Sequence, residues 1–418
     1  MNRSSFELLA PVGSRESLAA AIRAGADSVY FGVGKLNMRA HSASEFTLAD
    51  LHDIAALCAD HGLHSLLAVN TIIYGEDMDT MRETIDAARR AGISAVIASD
   101  VAVMTYCRQV GLPVHLSTQL NVSNSEALRF YAQFADVIVL ARELNLWQVR
   151  DIHEDIQRKG IRGPGGQLVR IEMFCHGALC MAISGKCYLS LHNAAGRSAN
   201  RGECVQICRR GYEARDLENG TLLNIDHQYI LSPKDLKTIE FLDLMAAAGV
   251  RVFKIEGRAR GAEYVRAVVG AYDEALRAVA DGTLQQDAER LARWNDELGS
   301  VFNRGFWDGY YQGAPLGQWC EVYGSKATEQ KVYVGKCDKW FPRISVAEFI
   351  ILNEPLRQGD KMLVTGNTTG AVVQTAQEMR LDSGPTSLAE RGQFVSVHMS
   401  ERVRPGDKLY VLRKRSLV

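Results

Sequence analysis

Five of the chain's nine cysteines, Cys175, Cys180, Cys187, Cys204 and Cys208, fall in one short stretch of the 418-residue sequence. Thiolates are soft donors, and four of them can hold zinc or an iron–sulfur cluster. Structural zinc sites favour tight knuckles with few residues between paired cysteines. Here the gaps between Cys180, Cys187, Cys204 and Cys208 are six, sixteen and three residues. Such wide, irregular spacing points to an iron–sulfur cluster laid into an existing domain, with zinc and with free or catalytic thiols as the alternatives. Cys175 ends a strand-like run and reads as a small buried hydrophobe. An odd cysteine count argues against a disulfide framework. The N-terminal residues carry no apolar signal core, and no apolar run approaches bilayer-spanning length, so a cytoplasmic protein is expected.

Any such centre needs a scaffold. Eight short β-rich runs, at 7–12, 28–33, 65–69, 95–99, 114–117, 136–140, 169–174 and 252–256, alternate with helical patterns at 14–25, 47–62, 77–92 and 125–135. Ser14 supplies an N-cap, and several helices stop at glycine. This alternation predicts an α/β fold, a (β/α)8 TIM-like barrel over 1–282. An open dinucleotide-binding sheet is disfavoured, because Gly32 and Gly34 lack the third glycine of that fingerprint. The pattern breaks once, in a cysteine-rich insertion after strand seven at about 175–230, with a hairpin expected at 216–230. A helical connector follows over 283–329. From 330 to 418, period-two alternation predicts a small antiparallel β-barrel.

Active sites of closed parallel barrels lie at the C-terminal ends of the strands. That rule selects Tyr30, Asn70, Asp100, Gln119, Arg142, Glu172, His176, Lys254, Glu256 and Arg258. Lys254, Glu256 and Arg258 alternate along one strand end, so all three are expected to face the pocket; the competing reading is an ion pair that closes the barrel. Glu256 is a candidate to accept or deliver a proton. His176, between strand seven and Cys180, is placed either to link the metal centre to a substrate or to hydrogen-bond within the core. Arg39 adds a further cation. The chain lacks the two-histidine helix motif of zinc proteases and the Gly-x-Ser-x-Gly elbow, which argues against those hydrolases. Net charge is −1, so nothing global draws nucleic acid. Yet fifteen Lys and Arg face ten Asp and Glu from Lys326 onward, and the chain closes on Arg402, Arg404, Lys408, Arg413, Lys414 and Arg415. That tail, with Arg197, Arg201, Arg209 and Arg210, is a candidate phosphate-contacting surface or simply a solvated one.

The run Glu172-x-Phe174-x-x-Gly177-Ala178-Leu179-Cys180-x4-Gly185-x-Cys187-x-Leu189-Ser190 resembles the signature of the collagenase-like peptidase U32 family. Leu8 to Gly13, Ser28 to Gly32, Ser117-Thr118-Gln119, Ser232 to Leu236, Lys254 to Arg258 and Asn303 to Phe306 resemble it too, so the likeness spans nearly the whole chain. Despite the family's name, the resemblance implies a hydroxylase with a [4Fe-4S] cluster on four cysteines and oxygen insertion without O₂ as obligate oxidant. It implies prephenate as a small-molecule co-substrate, bound through its two carboxylates by Arg258 with Arg39 or Lys254. The two-domain layout is similar to the branch that converts a tRNA wobble uridine in the anticodon loop to 5-hydroxyuridine. Tyr30, Asn70 and Gln119 are then substrate-binding residues, and Lys254, Glu256, Arg258, His176 and Glu172 catalytic ones. The alternatives are a collagenase-like peptidase, a hydroxylase of rRNA or of a quinone precursor, and a metal-stabilised RNA-binding protein. Some relatives carry a cysteine where this chain has Lys237, which favours Cys208 as the fourth ligand.

Overall fold

The computed structural model describes residues 2–40, 45–194, 196–222, 229–314 and 317–415. Eight parallel strands form the barrel: β1 (Glu7–Pro11), β2 (Ser28–Phe31), β3 (His64–Val69), β4 (Ala95–Ala98), β5 (Val114–Leu116), β6 (Val137–Val139), β7 (Arg170–Gly177) and β8 (Val250–Ile255). Each pairs with the next in the chain. β8 pairs on one side with β7, Glu172 opposite Val252, and on the other with β1, Leu9 opposite Lys254, so the sheet closes.

Successive strand residues point to opposite faces, and both faces are buried here, so these runs are apolar almost throughout. Leu9, Tyr30, Leu66, Ala95, Ile97, Val137 and Val252 fill the barrel interior. Their neighbours Leu8, Ala10, Val29, Phe31, Leu67 and Val96 point outward and pack under the surrounding helices. The first of these helices, Arg15–Arg23, starts at a capping box between Ser14 and Ser17, which satisfies amides that the helix itself leaves unpaired.

β7 outruns its neighbours. Its last residues pair antiparallel with a short strand, Asp235–Lys237, which pairs in turn with Phe306–Trp307. This ribbon brings the chain after helix Ala288–Ser300 back to one side of the barrel mouth. Between β7 and Asp235 runs the cysteine insertion, with one short helix, Leu189–Asn193, and tight turns at Ala199–Arg201 and Ile207–Arg209. In the region of the expected hairpin, Arg215 bridges Leu222 in antiparallel sense; residues 223–228 lie outside the described residues.

The C-terminal region is an antiparallel sheet. Strand Glu329–Phe341 sits at its centre between Val346–Ile351 and Lys408–Lys414. The ladder extends one way to Lys361–Gly366 and Gly370–Thr375, and the other way to Phe394–His398, Met379–Leu381 and Gly384–Pro385. One face encloses its own core around Val334, Phe349, Met362, Val372, Val395 and Leu409. The opposite face contributes Leu363 and Ala371 to the core of the barrel. The contact is close: a Cβ on Gly370 would stand 2.7 Å from the backbone nitrogen of Ala20. Arg23 and Glu401 pair across it at 2.8 Å. Much of the basic tail is used for this architecture rather than as a free phosphate-binding surface. Lys408 faces Glu16, Arg413 pairs with Asp360, Arg404 reaches Thr369, and Arg415 donates to the carbonyl of Ser325. No helix among the described residues is long and apolar enough to cross a membrane.

Candidate active site at the barrel mouth

The C-terminal strand ends and the cysteine insertion enclose a cavity of about 210 Å³. Tyr30, Asn70, Gln119, Lys254, Glu256 and Arg258 line its barrel side, and Arg39 joins them from the segment after β2. Cys180, Cys187, Cys204 and Cys208 line its insertion side. The cavity therefore unites residues that lie far apart in the chain.

Charge in the cavity is organised as pairs. Lys254 Nζ donates to Glu172 Oε1 at 2.7 Å, both groups being buried. The ammonium also lies 4.7 Å from the centre of the Tyr30 ring, a cation–π contact. Burial lowers the Lys254 pKa, and Glu172 opposes that. Burial raises the Glu172 carboxyl, but Lys254 and His115, whose Nδ1 is 3.5 Å away, outweigh it and hold the acid below its usual range. Glu172 is part of the barrel interior rather than of the cavity wall, which weakens its expected catalytic role.

Glu256 accepts from Arg39 at 2.6 Å. Burial pushes its carboxyl up, yet Arg39 wins and holds it at about 2. Glu256 is thus a carboxylate at neutral pH, able to accept a hydrogen bond but unsuited to deliver a proton. The pairing also occupies Arg39, one of the cations expected to bind a carboxylate ligand. Arg258 differs. It is buried, donates to Asn37 Oδ1 at 3.1 Å, lies under the Tyr30 ring at 5.6 Å, and has no carboxylate partner among the described residues. Burial pulls its pKa down to about 10, still far above neutrality. Arg142 stacks on Phe174 at 3.8 Å, and its Nε has no hydrogen-bond partner.

The polar wall is tied together by amides. Asn70 accepts from the Met38 amide at 3.2 Å and donates to Ser117. Ser117 bonds Gln119. The Tyr30 hydroxyl donates to the Ile255 carbonyl at 2.9 Å. Asp100, by contrast, caps helix Val101–Val110 and accepts from the Ile73 amide, away from the cavity.

His176 is not at the mouth. The β7–β8 ladder slips between Phe174 and His176, and such a bulge re-aims the side chains beyond it. His176 is buried beside Tyr272 and Phe306, its Nδ1 3.3 Å from the Tyr272 hydroxyl. Burial drops its pKa to about 3, so the ring is neutral. It cannot link a metal centre to a substrate from there.

The insertion is fastened over the mouth. Arg201 donates to Asp77 at 2.5 Å and to the Ile72 carbonyl at 2.8 Å, and it stacks on Tyr74. Lys35 reaches the same carboxylate, which these partners hold well below its ordinary range. Gly202 passes so close to the loop after β2 that a Cβ would meet the Asn37 carbonyl oxygen at 2.2 Å. Arg209 turns inward, donating to Ser232, Pro233 and Leu179. Arg201 is therefore a structural fastener and Arg209 a cavity-facing group, so neither is a freely solvated surface cation.

The thiols of Cys180, Cys187, Cys204 and Cys208 share one neighbourhood. Burial pushes Cys208 up to about 11, Arg209 opposes this, and the other three cysteines add to the rise. Among the described residues, no three Cys, His, Asp or Glu side chains crowd tightly enough to hold a single metal ion. Cys180, Cys187, Cys204 and Cys208 put four soft sulfur donors on one wall of the cavity, a donor chemistry that suits zinc or an iron–sulfur centre.

The model of peptidase family U32 matches residues 13–321. The chain belongs to that family. A U32-related protein of Porphyromonas gingivalis named collagenase is 60% identical over 415 residues, 99% of this chain and 100% of that protein. The tRNA hydroxylation protein P1 of Bacillus subtilis is 32% identical over 319 residues, 74% of this chain and 71% of that protein. An Escherichia coli 23S rRNA 5-hydroxycytidine synthase is 34% identical over 280 residues, 66% of this chain and 40% of that protein.

Among the cavity residues absent from the strand-end set are three arginines, Arg209, Arg260 and Arg304. They lie beyond strand ends, in the insertion, in the loop after β8 and after helix Ala288–Ser300. The Lys254–Arg258 motif stops two residues short of Arg260, and the Asn303–Phe306 motif contains Arg304; these were the available signal.

Proposed function

We propose that this U32 protein is an iron–sulfur-dependent RNA hydroxylase, acting with prephenate on the wobble uridine of a tRNA anticodon loop to give 5-hydroxyuridine. The observation that carries the reading is the sharing of one cavity by four cysteines and a set of cations with few carboxylates. Cys180, Cys187, Cys204 and Cys208 would hold a [4Fe-4S] cluster, which when bound supplies redox chemistry at the cavity wall. The irregular spacing of these cysteines along the chain, with gaps of six, sixteen and three residues, supports a cluster over a zinc ion held by tight paired knuckles.

The chain's own residues account for the rest. Prephenate carries two carboxylates, and Arg258 offers a fork-shaped guanidinium with no carboxylate of its own. Arg142 is the second donor, with Lys254 and Arg39 setting the surrounding field from within their pairs. Glu256, held ionised by Arg39, orients a donor on the ligand. Asn70 and Gln119 read the polar edge of the base. The target base must leave its stack to enter the cavity, which costs least in a loop that is already single-stranded. The names of the relatives in Bacillus subtilis and Escherichia coli support RNA as the substrate class.

Deleting the gene and quantifying wobble-uridine hydroxylation by mass spectrometry tests this. The modification should vanish, return with the wild-type gene, and stay absent with Cys204→Ser or Arg258→Gln. Unchanged 5-hydroxyuridine in the deletion strain would remove the proposal.

Proteolysis is the second reading, favoured by the name of the 60% identical relative. Its chemistry is poorly served here. Cys175 is buried with a thiol pushed well above its ordinary range, and His176 is neutral and turned away, so they form no activated thiolate–imidazole pair. Cleavage of gelatin by the purified protein, lost on changing one cysteine, would favour the second reading.

A further inference from the structure

The cavity holds a second cationic group apart from Arg258. Arg209, Arg260 and Arg304 all line it. They come from three separate segments that meet where the insertion faces the ribbon beside β7. Arg260 Cζ lies over the Phe302 ring, 3.5 Å from its centre, and Arg304 approaches the same ring at 4.9 Å. The nearest carboxylate, buried Asp235, is 3.4 Å from Arg304. Glu256 is within electrostatic reach of Arg260 but is neutralised by its own partner, Arg39. Three guanidiniums therefore share one carboxylate.

The three are not equivalent. Arg209 spends its donors on Ser232 and on the carbonyls of Pro233 and Leu179, so it contributes charge more than hydrogen bonds. The Arg260 guanidinium has no hydrogen bond or ion pair among the described residues beyond its ring contact, so its donors are available. Arg304 keeps those not turned to Asp235. Gathering like charges in a partly buried site costs free energy unless an anion joins them. Arginines held on an aromatic face are oriented for oxyanion recognition rather than merely solvated.

We propose that Arg260 and Arg304, backed by Arg209, form an oxyanion subsite that takes a phosphate of the RNA substrate while Arg258 takes the carboxylate ligand. This rests on the RNA-hydroxylase reading for the source of the phosphate. Donors carried on three separate segments suit a tetrahedral phosphate, whereas the single fork of Arg258 suits a planar carboxylate. The subsite lies beside Cys208, since Arg209 follows it directly. A phosphate held there sets its nucleotide between the cysteine wall and the barrel end.

Calorimetric titration of the purified holoprotein with inorganic phosphate, uridine 5′-monophosphate, uridine and prephenate separates the possibilities. Arg260→Gln is the main variant, because it breaks no ion pair; Arg304→Lys keeps the charge beside Asp235 while removing the fork. Arg260→Gln should weaken phosphate and the nucleotide by roughly tenfold or more and leave prephenate within about twofold. Arg304→Lys should weaken phosphate less. Equal phosphate affinity in wild type and Arg260→Gln would overturn the subsite, as would a parallel loss of prephenate binding. If phosphate binds and depends on Arg260 but the nucleotide binds no tighter than phosphate, the subsite stands and its assignment to RNA is overturned.

Discussion

At the residue scale, the decisive feature is which cations are already spoken for. Lys254 and Glu172 neutralise each other inside the barrel, so Lys254→Met leaves a buried carboxylate without its partner. That should cost about 3–5 kcal/mol. Urea denaturation of Lys254→Met and of a Lys254→Met/Glu172→Gln double variant checks it: the double variant should recover most of the loss. A structural pair predicts this recovery of stability, and activity is a separate readout. His176 makes a pH prediction. Its pKa falls from 6.5 in the unfolded chain to about 3 in the fold, so the unfolded chain binds the extra proton between those values. Its stabilising contribution is full above pH 6.5 and is lost as pH falls toward 3. Denaturation midpoints should therefore drop on acidification in the wild type and drop less steeply in His176→Gln. Equal slopes would show that this ring does not govern the acid limb.

At the element scale, the insertion works because it is latched. Arg201 ties it to Asp77, and Gly202 allows the close pass over Asn37. Gly202 has φ +81, a region open to glycine and strained for other residues. Gly202→Val should loosen the cysteine wall while sparing the barrel. Limited proteolysis should then cut within 178–234 at low protease concentration, and the iron content should fall. Resistance equal to wild type would mean that the insertion is held elsewhere. The strands of the barrel were legible because burial on both faces writes an apolar run of fixed length between helical patterns. The slip after Phe174 was not. A bulge is a property of the pairing between β7 and β8, and nothing in the local sequence around Cys175 separates it from plain alternation. Likewise Arg260 and Arg304 reach the cavity through tertiary placement of loops, which strand-end reasoning does not cover. The four cysteines needed only their type and spacing to be read as a set.

At the scale of the whole molecule, the C-terminal sheet is joined to the barrel by apolar packing. Leu363 is fully buried and belongs to the barrel's core cluster although it lies in the C-terminal sheet. Leu363→Ala should cost about 2–5 kcal/mol and lower the melting temperature of the whole chain in one cooperative transition, measured by calorimetry. Two separated transitions would show that the regions unfold independently. The alternation after residue 330 announced a small antiparallel β-barrel; its strands are found in an eight-stranded antiparallel sheet whose central strand, Glu329–Phe341, has two irregularities in its pairing that alternation alone does not show. The charge of the tail left two readings open for a physical reason. Long basic side chains reach carboxylates on neighbouring elements, and composition alone cannot tell such partners from solvent.

The most direct test is anaerobic purification followed by iron, sulfide and zinc analysis with a visible spectrum. Wild-type protein should be brown and carry about four irons and about four sulfides per chain, and Cys180→Ser, Cys187→Ser, Cys204→Ser and Cys208→Ser should each lose them. One zinc per chain, or colourless metal-free protein that still hydroxylates RNA, would contradict the iron–sulfur assignment.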